Sequence, residues 1–185
     1  HDFRHHNQNI AALLQKGDIK EALRYVQQYH DSLDAAKAKV FCPHATVNAI
    51  LSSFSIKAQK DGILMSASAD TQQESSIADM DFVAILSNLL ENALEASLRI
   101  VDSPRHIRIT SYLHAGNLLL IQVENTYVGE ILEKNGVFQS SKRKGEGIGL
   151  QSVRHIAEKS GGASTFSHQN GIFCAKVMLC GKSSA

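Results

Sequence analysis

The apolar residues beyond about residue 38 alternate between helical and extended periodicity, and this alternation constrains the fold most. Steps of three and four predict helices over 45–60, from a cap at Asp79 or Asp81 to Ile100, and over 149–160. Alternating or continuous apolar runs predict strands over 63–69, 106–113, 118–124, 164–168 and 172–179. Residues 126–146 are predicted to be irregular. The element order favours an α+β fold, a two-layer α/β sandwich with helices on one face of a largely antiparallel sheet.

The first 36 residues predict a helical hairpin, with Gly17 as a left-handed C-cap between its two helices. Apolar positions of the second helix form a seam with one histidine in it: Ile19, Leu23, Val26, His30 and Leu33. One hairpin cannot bury such a seam alone, so we expect a homodimer with a four-helix bundle. The predicted domains are 1–37, for dimerisation, and 38–185, the mixed α/β part.

The composition is that of an ordinary globular protein, with 43% hydrophobic and 20% charged residues. A formal net charge of +1 gives no basic field, so we expect no nucleic-acid partner. The three cysteines show no C-x-x-C spacing, which favours reduced core thiols and a cytoplasmic setting. No apolar run is long enough to cross a bilayer. Since the first residue is not methionine, we expect a fragment or processed product, with any membrane attachment upstream.

A polar stripe runs along the helix that contains the segment SNLLENALEA. Asn88, Asn92 and Glu95 follow one another at i, i+4 and i+7 among leucines and alanines. Amide oxygens are suitable ligands for Mg²⁺, which keeps waters and shares substrate phosphates. The stripe by itself is equally compatible with a solvated face of the helix.

The segment GEGIGL opens the next predicted helix. Its glycines allow backbone N–H groups to approach phosphate oxygens, and the helix N-terminus adds a partial positive charge. Candidate phosphate-binding residues lie in and just before this segment: Lys142, Lys144, Gly145, Gly147, Gly149 and Leu150. Flexible loops also collect glycine, and the spacing matches neither a dinucleotide-binding fingerprint nor a P-loop.

Together, SNLLENALEA and GEGIGLQSVRHIAEKSGG resemble the N box and G2 box of the superfamily of gyrase, heat-shock chaperone, histidine kinase and MutL ATPases. The resemblance covers residues 40–180 and ends on a strand-turn-strand. It implies that the chain binds ATP and Mg²⁺ beneath a mobile lid. It also implies that Asn92 ligates Mg²⁺, that Asn88 supports the phosphates, and that the three glycines of GEGIG hold them.

The G1 box of this superfamily departs from its usual form here. The corresponding strand ends VENTY, with Asn125 where the resemblance implies an aspartate that binds the adenine amino group. An amide oxygen can still accept a hydrogen bond from that group, but without charge assistance. The same change is typical of the AgrC-like quorum-sensing histidine kinases, so it also indicates the subfamily.

The segment HDFRHHNQNI resembles the H box of histidine kinases. By this match His1 is the phosphoacceptor, and Asp2 orients its imidazole. His1 and His5 could instead form a metal site at i, i+4 spacing, or be surface residues. His5 also replaces the usual Asn or Thr, which makes phosphatase activity toward a partner doubtful.

Asn88 stands where gyrase-like hydrolases carry a general-base glutamate, which favours a kinase over a hydrolase. Glu91 is a weaker candidate for assisting His1.

These observations predict ATP-dependent autophosphorylation of His1, in a two-component sensor kinase, followed by transfer to the receiver domain of a response regulator. The regulator, and a membrane sensor upstream of a cytoplasmic catalytic domain, are implied by the resemblance alone. Two alternatives share the ATP-binding domain: a protein-serine kinase of the anti-sigma type, and a non-catalytic phosphotransfer scaffold.

Overall fold

The computed structural model describes residues 2–34, 40–70, 78–114, 117–131, 133–134, 137–138 and 148–181. The chain divides into two units, His1–Lys39 and Val40–Ala185. None of the helices in these described ranges has the length and apolarity of a membrane-spanning segment.

The described part of the first unit contains two helices, α1 (Asp2–Gln15) and α2 (Ile19–Asp34), as the sequence predicts. Gly17 between them has φ +76°, which confirms the left-handed C-cap. The backbone N–H of Asp18 donates to the Leu13 carbonyl at 3.0 Å, which satisfies one of the last carbonyls of α1.

The seam of α2 is not covered within the described part of the first unit. Ile19, Leu23 and Val26 are 60%, 64% and 42% exposed. By contrast Ala22, on another side of α2, is buried. The side chains of His30 and Leu33, which continue the seam in the sequence, lie outside the described residues.

The second unit is built on a five-stranded sheet with the strand order β1-β2-β3-β7-β6. β1 pairs parallel with β2, and the other three pairings are antiparallel, so the sheet is largely antiparallel as expected. These strands are β1 Leu64–Asp70, β2 His106–His114, β3 Leu118–Thr126, β6 Ala163–Gln169 and β7 Ile172–Cys180. The helices described in this unit are α3 Ala45–Lys60, α4 Asp79–Leu98 and α5 Ile148–Lys159.

A two-residue ladder lies in the segment that the sequence predicts to be irregular. β4 (Glu133–Lys134) pairs antiparallel with β5 (Val137–Phe138). The prediction of a wholly irregular segment over 126–146 is therefore wrong at these four residues and at Thr126, the last residue of β3. Strands of two residues are too short to give a detectable alternation of apolar and polar positions.

The core lies between one face of the sheet and the three helices. Alternate strand residues point to this helix-facing side, and Ile109, Ile121 and Val177 are each 1% exposed. Leu51 of α3 and Leu90 of α4 are fully buried against them. Burial of each such side chain contributes about 1.5–3 kcal/mol to stability. The expected two-layer α/β sandwich is confirmed.

The start of α4 differs from the sequence prediction. Its N-cap is Ala78, which makes no side-chain capping bond, so neither Asp79 nor Asp81 is the cap. The Asp79 carboxylate instead accepts a hydrogen bond from Thr46 Oγ1 at 3.0 Å and lies 3.2 Å from Nε2 of buried His44. Asp79 therefore connects the first turns of α3 and α4, where a negative charge is favourable.

Candidate functional site

The polar stripe of α4 lies at the edge of the core. Asn88, Asn92 and Glu95 are all half-buried, whereas Leu89, Leu90 and Ala93 between them are buried. The stripe therefore lies neither within the core nor on a fully exposed surface, and its amides are fixed on a helix that packs on the sheet. Such partial shielding strengthens interactions between these amides and a charged ligand.

The Asn88 amide is held by its own helix. Its Nδ2 donates to the Ala84 carbonyl at 2.8 Å, four residues earlier. This hydrogen bond leaves Oδ1 as the atom directed away from the Ala84 carbonyl, and it lies on the side of Gly149. Asn88 consequently presents Oδ1 as an acceptor for a cation or a water, whereas the bond to Ala84 uses only one of the two amide N–H donors.

The helix start formed by α5 meets the stripe of α4 at Gly149. A Cβ atom added to Gly149 would lie 3.2 Å from Asn92 Nδ2, 3.3 Å from Asn88 Oδ1 and 3.6 Å from Asn92 Oδ1. Glycine thus leaves open a space that any side chain would fill. The structure brings together Asn88, Asn92 and Gly149, three of the residues that the sequence predicts to bind the nucleotide, and Leu150 follows as a half-buried residue packed on the core.

The donor chemistry of this junction fits Mg²⁺ held jointly by protein and phosphates. Within the described ranges no group of three His, Cys, Asp or Glu side chains could hold a metal. The junction offers amide oxygens and the N-terminus of α5 instead. A magnesium ion needs only one or two protein oxygens when phosphates and waters supply the rest.

Asn125 lies on the helix-facing side of β3, near the end of that strand. Its residue exposure is 4%, and it pairs in register with Ile107 of β2 and Phe173 of β7. The Asn125 Nδ2 donates to the Thr126 carbonyl at 2.9 Å. The amide N–H₂ group therefore has an internal partner that the sequence does not predict, while Oδ1 is the atom suited to accept from an amino group.

Several predicted site residues lie outside the described part of the chain: His1, Lys142, Lys144, Gly145 and Gly147. Asp2 is the first residue of α1, and its side chain is also outside that part. Glu91 is half-buried on α4. The roles of these residues stay predictions.

An aromatic pair lies close to Asn125 and is not predicted by the sequence. The Tyr127 ring contacts the His168 ring edge to face, with centroids 6.2 Å apart, and Tyr127 Oη lies 3.3 Å from His168 Nδ1. The Tyr127 N–H also donates to the Gly171 carbonyl at 2.9 Å. These contacts join residues about 40 positions apart, so local periodicity contains no signal for them.

The open face of the sheet, opposite the helices, carries a separate set of side chains. A cavity of about 720 Å³ on this face is lined by Leu64, Arg108, Glu124 and their neighbours.

Cys42 is buried in the core, but Cys174 and Cys180 are half-buried on strand positions that alternate away from the helices, so the expectation of three core thiols is wrong for these two. Burial, reinforced by the Glu124 carboxylate, raises the pKa of the Cys174 thiol.

Comparisons with known proteins identify the family of this chain. Residues 77–180, more than half of the chain, match the model of the GHKL domain. A comparison with curated proteins finds no match.

Solved structures of histidine kinases share the fold. The catalytic domain of histidine kinase ThkA is 20% identical over 74% of this chain and 91% of its own, with a TM-score of 0.56. Acinetobacter baumannii histidine kinase AdeS is 16% identical over 99% of this chain and 98% of its own, with a TM-score of 0.57. Mycobacterial sensor histidine kinase MprB is 15% identical over 75% and 97%, with a TM-score of 0.52.

Proposed function

Because this chain belongs to the GHKL domain family, we propose that it is the catalytic part of a sensor histidine kinase, which uses Mg-ATP to phosphorylate His1. The observation that carries the proposal is the junction of α4 and α5. There, Gly149 lies against the amides of Asn88 and Asn92. A helix N-terminus and two amides in one place are suited to bind phosphates and a divalent cation.

In this proposal, different residues around the junction bind different parts of the Mg-ATP complex. Asn92 would ligate Mg²⁺ through its amide oxygen. Asn88, whose N–H₂ group is bonded to Ala84, would face the cation or its waters through Oδ1. This assignment is compatible with the expectation that Asn88 supports the phosphates, since Oδ1 would act through the cation and the second amide N–H could donate to a phosphate oxygen. Mg²⁺, when bound, neutralises charge on the β- and γ-phosphates.

A kinase suits this site better than a hydrolase. A hydrolase needs a base that removes a proton from water, and an amide such as Asn88 cannot accept that proton. A neutral imidazole nitrogen needs no such base. In the proposed reaction a ring nitrogen of His1 bonds to the γ-phosphorus, the bond from that phosphorus to the bridging oxygen breaks, and ADP leaves with the electron pair. Asp2 would accept the other ring N–H, and Glu91 is a further candidate for assistance.

The first unit would supply the phosphoacceptor and the dimer interface. The exposed seam of Ile19, Leu23 and Val26 supports dimerisation, since a second hairpin would bury it. The structural alignment with AdeS extends over 99% of this chain, so it includes the helical unit. A response regulator receiver domain would then take the phosphoryl group from His1. On the sequence resemblance alone, the proposal also includes a cytoplasmic location and attachment to a membrane sensor of the AgrC-like type.

Phosphorylation with γ-³²P-ATP tests the proposal. We expect an acid-labile, base-stable label in the wild-type protein, and no label in His1→Gln although it still binds Mg-ATP. Asn92→Ala should lose both the label and most Mg-ATP binding while its melting temperature stays near that of the wild type. An acid-stable label would point to a serine instead, and a label that persists in His1→Gln would refute the assignment of His1.

A further inference from the structure

The open face of the sheet holds a groove on the side opposite α4 and α5. Its cavity of about 720 Å³ lies within the range of small-molecule sites in proteins, roughly 300–1,000 Å³. Side chains from two successive rows across the strands line it: Leu64, His106, Thr126 and Ile172 in one row, and Arg108 and Glu124 in the next. These positions alternate along the strands with buried Ile107 and Asn125, so their side chains point away from the helices.

The two ends of the groove are apolar. Leu64 is 66% exposed and Ile172 is 39% exposed, and they lie at opposite ends of the first row. This row crosses β1, β2, β3 and β7, so three strand spacings place the two side chains about 14 Å apart. Between them the Thr126 hydroxyl accepts the backbone N–H of His106 at 2.9 Å. Because that hydroxyl has its partner within the sheet, the middle of the row suits an apolar chain.

Arg108 lies beside this row and is only weakly engaged. Its side chain is 70% exposed, and its Nη1 atom lies 3.8 Å from Glu124 Oε2. That distance is too long for a hydrogen bond, and it involves one nitrogen of a group that can bind a carboxylate through two parallel hydrogen bonds. Exposed ion pairs of this kind are weak, so the carboxylate of a ligand can compete with Glu124 for Arg108.

Glu124 keeps the guanidinium group close to the groove. Its Oε1 accepts a hydrogen bond from Gln122 Nε2 at 2.9 Å, and its side chain is 28% exposed, so this carboxylate has a fixed position. The attraction of Arg108 to it holds the guanidinium near β2 and β3. His106, two residues before Arg108 on the same face of β2, is exposed and offers a second possible donor.

We propose that this groove binds an organic carboxylate with an unbranched apolar chain. The carboxylate pairs with Arg108, and the chain lies over Thr126 toward Ile172. From β2 to β7 the chain crosses two strand spacings, a reach of about 10 Å. Burial of the chain against Ile172 supplies apolar binding energy, and the pair with Arg108 supplies selectivity for a carboxylate. The proposed kinase function is not a premise of this inference, because none of these residues belongs to the α4–α5 junction.

Titration with sodium octanoate, followed by calorimetry and by the backbone amide signals of the folded chain, tests the groove. Below its micelle concentration octanoate should bind at one saturable site and shift the amide signals around Arg108, whereas 1-octanol should bind at least about tenfold more weakly. Arg108→Gln should weaken octanoate binding about tenfold or more, and Ile172→Ala about three- to tenfold. Glu124→Gln should tighten it about two- to fivefold, because a competing carboxylate is removed.

Two control variants show whether the effects belong to the groove. Lys176→Gln removes an exposed cation that lies on the same face of the sheet but does not line the groove, and it should bind octanoate like the wild type. Asn92→Ala should also bind octanoate normally, since Asn92 lies on α4 behind the other face. Equal losses in Arg108→Gln and Lys176→Gln, equal affinities for octanoate and octanol, a loss in Asn92→Ala, or the absence of saturable binding would each overturn the proposal, and none of these results would touch the phosphorylation experiment.

Discussion

Replacement of Gly149 by alanine should impair the proposed nucleotide site while leaving the stability of the fold nearly unchanged. The new Cβ would lie 3.2 Å from Asn92 Nδ2 and 3.3 Å from Asn88 Oδ1, closer than ordinary contacts. Both neighbours are side-chain ends, so they can move by a few tenths of an ångström. Asn88 is bonded to the Ala84 carbonyl at 2.8 Å, and we therefore expect the Asn92 amide to move more.

The effects on stability nearly cancel. Alanine is favoured over glycine in a helix by up to about 1 kcal/mol, and Gly149 has no left-handed φ that would oppose the change. The tight contact costs about 1 kcal/mol in return. We expect the melting temperature of Gly149→Ala to stay within about 4 °C of the wild type.

The effect of Gly149→Ala on catalysis has no such compensating contribution. Magnesium requires near-ideal octahedral ligands at about 2.0–2.1 Å, so a displaced Asn92 oxygen weakens its coordination. A misplacement of about 1 Å can cost a hundredfold in rate, and a few tenths therefore predict roughly a three- to tenfold loss, or about 0.7–1.4 kcal/mol.

Thermal melting, calorimetry with Mg-ATP and single-turnover phosphorylation of the same preparation measure these effects. Gln151→Ala, an exposed position in the same helix, is the control and should match the wild type in all three. If Gly149→Ala bound and used Mg-ATP like the wild type, the junction of α4 and α5 would not be the phosphate site. A large drop in melting temperature would mean that the contact strains the fold instead.

Three further changes test separate parts of the second unit. Gly162→Ala should lose about 3 kcal/mol in urea denaturation, because its Cβ would lie 1.9 Å from the Met178 carbonyl oxygen, whereas Gly161→Ala should lose only about 1 kcal/mol for its φ of +77°. Asn125→Asp should lower the unfolding free energy by about 1–3 kcal/mol, since a carboxylate would replace the donor to the partly buried Thr126 carbonyl; unchanged stability would contradict that hydrogen bond. Glu124→Gln should lower the pKa of the Cys174 thiol and so speed its alkylation at mildly alkaline pH relative to Cys180, and an unchanged rate would exclude an influence of this carboxylate.

The positions of the helices and strands could be predicted because they depend on local apolar periodicity. The predicted helix over 45–60 is α3, and the ends of the other main elements lie within two residues of those predicted. The parallel pairing of β1 with β2 could not be predicted in this way. It follows from the crossover through α4, and strand pairing across a crossover is not encoded in the spacing of either strand.

The candidate site could be predicted only where the sequence matches a known motif. The amides of α4 and the glycine at the start of α5 were expected together, and they lie together. The contacts of His168 with Tyr127 and of Asp79 with Thr46 span 41 and 33 residues. For Asp79 the local rule also gave the wrong result, because the carboxylate binds the neighbouring helix instead of capping its own. The positions of both His168 and Asp79 therefore depend on partners that are distant in the sequence.

The two ends of the proposed nucleotide site differ in the kind of energy that they can supply. At the α4–α5 junction the amides of Asn88 and Asn92 and the helix N-terminus interact with charge, so their contribution should fall with the loss of Mg²⁺ and with added salt. At the other end Asn125 is neutral and its N–H₂ group is bonded internally, so charge contributes little there. Base recognition should consequently depend on apolar contact and persist at high salt. A nucleoside without phosphates should then bind weakly, but with little dependence on Mg²⁺, whereas tripolyphosphate should show the reverse.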